Sequence, residues 1–215
     1  MVRDTPADWL EWHRAYDDPA SRLARRLQVV TDHLARAMDE RSGPLRIISM
    51  CAGQGRDVIG VLTDHPRRDE VSALLVELDP RIAETAEAAA RHAGLDRVRV
   101  MCADASLTDN YAGAAPADIV LACGIFGNIS EDDIRRTIEH LPWLCAAGAT
   151  VVWTRGRRPD APDVPSDIRR WFGESGFEEV AFVAPDDVTF RVGVHRLRIA
   201  PRPLQRGVRL FRFLR

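Results

Sequence analysis

The stretch LRIISMCAGQGRDVIGVL, residues 45–62, decides how this chain is read. Leu45, Ile47 and Ile48 form a strand-sized apolar run bounded upstream by Gly43-Pro44, and Val58, Ile59, Val61 and Leu62 carry the apolar stripe of a following helix. Gly53 and Gly55 lie between them. Glycine lets the backbone turn sharply and approach a ligand with no Cβ in the way, while the helix N-terminus presents unpaired N–H groups to a phosphate or a carboxylate. The segment therefore reads as a nucleotide-binding turn. It departs from the GxGxxG dinucleotide fingerprint, because Val58 stands where the third glycine would let helix and strand pack around a pyrophosphate.

Two acids follow at the spacing such a turn requires. Residues 73–77 (ALLVE) are an apolar run ending in Glu77. It lies about 20 residues past the loop, where a nucleotide-binding α/β unit places the carboxylate for ribose hydroxyls. Its oxygens suit both the 2′- and 3′-hydroxyls, and the charge strengthens each bond. Asp79 is the rival, but it precedes Pro80 and a helical run, so it reads as an N-cap with proline at the first helical position. Residues 98–104 (VRVMCAD) read as a third strand ending in Asp104, for which capping the segment from Ser106 is the competing role.

Taken together, these features resemble the class I S-adenosylmethionine-dependent methyltransferases, whose motif I is an apolar strand running into D/E-x-G-x-G-x-G. Gly53 and Gly55 match; Ser49 stands at the acidic position and Cys51 at the first glycine. The resemblance implies S-adenosylmethionine as cofactor. It implies contacts from Ser49, Cys51, Ala52, Gly53, Gly55 and Asp57 in the turn, from Glu77 and Leu78 after strand two, from Asp104 and Ala105 at the adenine, and from Cys123 and Gly124 after strand four. It implies no metal.

Composition bounds the rest. The chain has 215 residues, 46% hydrophobic and 29% charged, which suits one ordinary α/β domain. A net charge of −2 gives no global attraction to nucleic acid or to an anionic membrane. Every basic residue is arginine, which removes lysine as a base or Schiff-base former. The apolar runs are strand-sized and the N-terminus lacks the apolar core of a secretion signal, so a cytoplasmic location is expected. Cys51, Cys102, Cys123 and Cys145 never form C-x-x-C and read as reduced, buried small hydrophobes.

Along the chain, residues 1–42 read as a helical appendage or lid, 43–200 as the cofactor-binding domain and 201–215 as a tail. Strands are expected at 45–50, 73–77, 98–102, 118–122 and 149–154, alternating with helices at 55–64, 80–93, 130–141 and 166–175, which means βαβ units and a mostly parallel sheet. Two further β-like runs, 178–183 and 189–199, are joined by a link too short for a crossover helix and must pair antiparallel. A parallel sheet ending in an antiparallel hairpin is the layout of the Rossmann-like class I methyltransferase fold, and the resemblance covers residues 43–199. The tail, PRPLQRGVRLFRFLR, reads as a half-buried strand or cap with its arginines turned to solvent.

The implied activity is methyl transfer to a small-molecule acceptor, with the O-, N-, S- or C-nucleophile left open. Asn128, in the loop after strand four, is a candidate for orienting the acceptor; helix capping is its competing role and Ser130 the rival cap. Phe126 is a candidate pocket wall. The cluster Trp9, Trp12, His13, Tyr16, Asp17 and Asp18 is a candidate lid, aromatic walls with a few polar groups being typical of small-molecule pockets. Within it His13 is a candidate base and Tyr16 a candidate for orienting the acceptor; a homodimer seam is the alternative use of that face. Trp153, Thr154 and His195 are further candidates. An NAD(P)-dependent oxidoreductase and a cofactor-binding protein without catalysis are the alternative functions. The first is opposed by Val58 and the terminal hairpin; the second is motivated by Ser49 and Cys51.

Overall fold

The computed structural model describes residues 14–156 and 164–214. Its centre is one seven-stranded sheet of order β3-β2-β1-β4-β5-β7-β6, made of β1 (Leu45–Met50), β2 (Val71–Glu77), β3 (Val98–Cys102), β4 (Ala117–Ala122), β5 (Cys145–Gly156), β6 (Phe177–Val183) and β7 (Phe190–Leu197). Strands β1 to β5 run parallel, and β7 lies antiparallel between β5 and β6. The alternating parallel strands and the terminal antiparallel pair expected from the sequence are thus both present. β5 extends further upstream than its apolar pattern indicates, through the small residues around Gly148.

Side chains alternate across the sheet. Leu45 and Ile47 of β1 pack on one face with α1 (Arg22–Asp39), α2 (Val58–Asp64) and α3 (Pro80–His92). Ile48 and Met50 pack on the other, with α4 (Glu131–His140) and α5 (Val164–Glu174). Local chemistry sets the helix starts. Ser21 caps α1 by accepting from the Ala24 N–H at 3.0 Å, Asp79 caps α3 ahead of Pro80, and Ser130 caps α4 by accepting from Asp133 N–H at 3.1 Å. The capping role left open between Asn128 and Ser130 therefore falls to Ser130. Helix α2 starts at Val58, later than the apolar periodicity suggests, because residues 52–57 are spent on the glycine turn and Asp57 caps the helix.

Between β3 and β4 the chain makes only a short 3₁₀ turn, Thr108–Tyr111. The C-terminal tail fills the space beside it. Leu107 bridges Arg209 and Ile129 bridges Phe213, both antiparallel, and Leu210 and Phe211 are fully buried among the residues of the α4–α5 face. The Leu210 N–H donates to Ser106 O at 2.8 Å, and the Arg212 N–H to Asp133 Oδ2 at 2.9 Å. Burial of Leu210 and Phe211 supplies roughly 1.5–3 kcal/mol each. The tail packs as a half-buried cap held by these two isolated bridges and forms no strand, and Arg209 departs from expectation by turning inward.

Candidate functional site

A cavity of about 780 Å³ opens beyond the carboxyl ends of the parallel strands, the place where open α/β sheets bind ligands. Its floor is the turn after β1. Gly53 and Gly55 have φ of +57° and +68°, and Cys51, the residue at the motif's first glycine position, has φ of +51°. A non-glycine residue in this left-handed region costs roughly 1–2 kcal/mol, so Cys51 holds a conformation that glycine would adopt without strain. The two remaining glycines differ. A Cβ on Gly55 would stand 2.6 Å from Leu75 Cδ2 and 2.7 Å from Ile59 Cδ1, so this glycine lets α2 press against the sheet. Gly53 lines the cavity and donates its N–H to Glu77 Oε2 at 2.9 Å.

Glu77 ends β2 at the cavity rim. Its Oε1 accepts from the N–H groups of Leu78 and Asp79, at 2.9 and 3.0 Å, and its Oε2 from Gly53. Three backbone donors thus fix the carboxylate. Asp79 also borders the cavity, but it is committed as the cap of α3 and to Arg81, whose Nη2 lies 2.6 Å from Asp79 Oδ2 and holds that carboxyl below its ordinary range. Asp104, after β3, holds its own turn and borders the cavity. Its Oδ1 accepts from Ser106 N–H at 2.9 Å. Burial pushes its pKa up, but the hydrogen bonds from Ser106 and the Arg209 guanidinium outweigh this and leave it lowered.

At the other end of the cavity sit Asp57, Tyr16 and Arg26. Burial raises Asp57 to about 6 despite the Val58 N–H at 2.7 Å. The Tyr16 hydroxyl accepts from Arg26 Nη2 at 2.7 Å, and burial raises its pKa against the pull of Arg26. Arg56 lies over the Tyr16 ring, 5.5 Å from its centroid, and pairs with Asp17 at 2.9 Å. Cys51 and Cys123 border the same space as neutral thiols, their pKa values pushed up by burial. Asn128 lines the cavity and donates from Nδ2 to Gly124 O at 2.8 Å.

The cavity therefore brings together Cys51, Ala52, Gly53, Asp57, Glu77, Leu78, Asp104, Ala105, Cys123 and Gly124 with Tyr16, Asn128 and Thr154. Other expectations are corrected. Ser49 is buried within β1 and Gly55 lies behind the turn, so neither lines the cavity. Phe126 turns into the core against Trp153, ring centroids 6.0 Å apart, and does not wall the pocket. Trp153 and His195 are buried together away from it, with Trp153 Nε1 donating to His195 Nδ1 at 3.1 Å. Cys102 is exposed, not buried. His13, with Trp9 and Trp12, lies outside the described residues. The sequence reading missed Arg26, Arg155 and Phe213, which also line the cavity. Arg26 sits on a helix face with ordinary amphipathic spacing, and only the paired phenylalanines in an arginine-rich tail hinted at Phe213. Among the described residues no group of three or more His, Cys, Asp or Glu is placed to hold a metal ion, and no helix is long and apolar enough to cross a membrane.

This sheet, with its hairpin and flanking helices, is the Rossmann-like fold of the class I S-adenosylmethionine-dependent methyltransferases. Magnesium protoporphyrin IX methyltransferase from Synechocystis, solved with bound S-adenosylmethionine, superposes with a TM-score of 0.67 at 15% identity over 89% of this chain and 91% of that one. An O-methyltransferase family protein from Burkholderia thailandensis gives 0.63 at 16% identity over 83% of this chain, which spans only 57% of that one. The cyclase SpnF gives 0.58 at 16% identity, over 79% of this chain and 81% of that one. No protein-family model and no curated protein matches the chain. At these identities the likeness establishes the fold, and a cyclase among the neighbours means that activity has to be argued from the site.

Proposed function

We propose that this protein transfers a methyl group from S-adenosylmethionine to a small-molecule acceptor. One observation carries the reading: Glu77, Asp104 and the neighbouring Asp57 and Arg26 line a single cavity around a left-handed glycine turn. Their chemistry complements, in turn, ribose hydroxyls, the adenine amino group, and the ammonium and carboxylate of an amino acid. Because Glu77 Oε1 already accepts two backbone N–H groups, the ribose contact falls to Oε2, which accepts one. Ala105 follows Asp104 and offers its backbone N–H to the adenine ring.

When bound, the cofactor supplies a methyl group already activated on a sulfonium sulfur. The remaining work is alignment of the acceptor and exclusion of water, which together account for much of the acceleration of such a displacement. Tyr16 is a neutral phenol, its pKa raised further by burial, and its hydroxyl orients the acceptor alongside Asn128. His13, close to Tyr16 in sequence, is the proposed proton acceptor; of the lid expected over residues 1–42, α1 instead packs on the sheet, with Leu34 and Met38 fully buried. The net charge of −2 favours a dissolved metabolite over nucleic acid, in a cytoplasmic setting.

Calorimetric titration with S-adenosylhomocysteine and, separately, NAD(P)H tests the reading. The expected result is saturable heat with S-adenosylhomocysteine and a melting temperature that climbs with its concentration by mass action. Heat with NAD(P)H alone would favour the oxidoreductase reading. Binding of S-adenosylhomocysteine without transfer to any acceptor in a metabolite screen would leave a cofactor-binding protein without catalysis.

A further inference from the structure

Arg209 belongs to the C-terminal tail, yet its guanidinium reaches the carboxylate at the end of β3. Its Nη1 donates to Asp104 Oδ2 at 2.7 Å and to Ser106 Oγ at 2.6 Å. The tail backbone holds this cation in place from both sides. On one side the Thr108 N–H donates to Val208 O at 3.0 Å, and on the other the Leu210 N–H donates to Ser106 O at 2.8 Å. Asp104 is itself steered from its own backbone, since Asn110 Nδ2 donates to Asp104 O at 2.8 Å.

A half-exposed aspartate has a broad, two-fold terminal torsion that packing alone does not set. Here one oxygen is held by Ser106 N–H and the other by Arg209, which fixes the plane of the carboxylate. A carboxylate offers about four acceptor sites, so these two bonds leave room for a further donor from the cavity side. A charge-assisted bond from a guanidinium is also among the stronger side-chain contacts.

We propose that Arg209 is a positioning residue that holds Asp104 in the orientation that reads the exocyclic amino group of the cofactor's adenine. The tail would then determine base selectivity while never touching the base through Arg209. The inference rests on the S-adenosylmethionine reading of the cavity and deepens it. A purely architectural alternative exists, in which Arg209 only anchors the tail.

The two are separated by measuring Kd for S-adenosylhomocysteine and for its hypoxanthine analogue, which carries a carbonyl oxygen where adenine carries the amino group. Wild-type protein is expected to prefer the adenine form by about a hundredfold or more, because the analogue sets an acceptor against an acceptor. Arg209→Gln should weaken S-adenosylhomocysteine by about tenfold and the analogue by less than about threefold, narrowing that ratio. Arg209→Lys keeps the charge and the tail without the fixed fork and should fall between the two. On an Asp104→Asn background, Arg209→Gln should leave the ratio unchanged, the signature of one residue acting through the other. Equal losses for both ligands, or no change in the ratio with either Arg209 variant, would reduce Arg209 to a tail anchor. A wild-type protein that binds neither ligand would overturn the cofactor reading and this inference with it.

Discussion

Asp57 and His195 are both buried, 8% and 1% exposed, and burial drives both toward their neutral forms: Asp57 up to about 6 and His195 down to about 4. Their surroundings differ in kind. Asp57 caps α2 at the wall of a cavity that it shares with Arg26 and Tyr16. His195 lies in a buried aromatic cluster, stacked 4.2 Å from the Phe172 ring, and its Nδ1 accepts from Trp153. Its Nε2 has no hydrogen-bond partner among the described residues; Glu179 Oε2 is 3.8 Å away, too far for one. A displaced pKa therefore does not mark a functional group by itself. Access to a cavity, with complementary charge beside it, separates the aspartate from the histidine.

The contrast is open to three tests, and the largest effect is expected in the aromatic cluster. Trp153→Ala should cost about 3–5 kcal/mol of stability, because the ring is fully buried against Phe126, Phe172 and Phe182 and lies directly over Gly193, where a Cβ would come within 2.2 Å of it. Denaturant titration measures this. Affinity for S-adenosylhomocysteine should stay within about threefold in the folded fraction, since Trp153 does not line the cavity. A parallel collapse of affinity would show that cluster and cavity act as one unit.

Gly53→Val is the converse. The β-branched side chain would occupy the cavity floor from a left-handed backbone position, φ +57°. Cofactor affinity should fall about a hundredfold or more, equivalent to about 2.7 kcal/mol. The sheet should survive, as judged by an unchanged far-ultraviolet spectrum and a transition that remains cooperative. Undiminished affinity would mean that this glycine serves only the turn.

The smallest effect is the most diagnostic of sign. Between pH 6.5 and 5 the unfolded chain protonates its histidine while folded His195, at about 4, does not, so stability falls as pH falls. Asp57 acts oppositely: folded, at about 6, it takes up a proton that the unfolded aspartate does not, so stability rises as pH falls. The two contributions offset in the wild type. Asp57→Asn should therefore steepen the loss of stability on acidification from pH 6.5 to 5, and His195→Gln should turn it into a gain, both read from urea midpoints. Parallel profiles for all three proteins would remove the distinction drawn between the two groups.

The site was legible where its geometry is local. In residues 45–62 the strand, turn and helix are contiguous, so residue type and spacing alone locate the glycine turn, and Glu77 and Asp104 follow because each ends a strand of the same parallel sheet. Local chemistry also resolved Asp79, a residue before a proline, as a cap. Phe126 misled for a corresponding reason: one residue of register decides whether a loop aromatic faces a cavity or a core, and no nearby pattern sets that register. Thr154 and Trp153 divide in the same way, adjacent in β5 but on opposite sides of it.

By its sequence alone, then, this protein was determined to be an alternating α/β chain with a parallel sheet, an antiparallel end and a glycine turn after the first strand, because hydrophobic periodicity and glycine placement act over a few residues. Tertiary structure alone decided that the tail packs along the loops after β3 and β4, that Arg209 meets Asp104 across 105 residues of chain, and that Arg26, Tyr16 and Phe213 share one cavity. Those contacts join segments that carry no mutual signal in their composition. They form only when the folded sheet brings its strand ends, Tyr16, Arg26 and the C-terminal tail to the same edge, where burial of Leu210 and Phe211 offsets the entropy of ordering the tail.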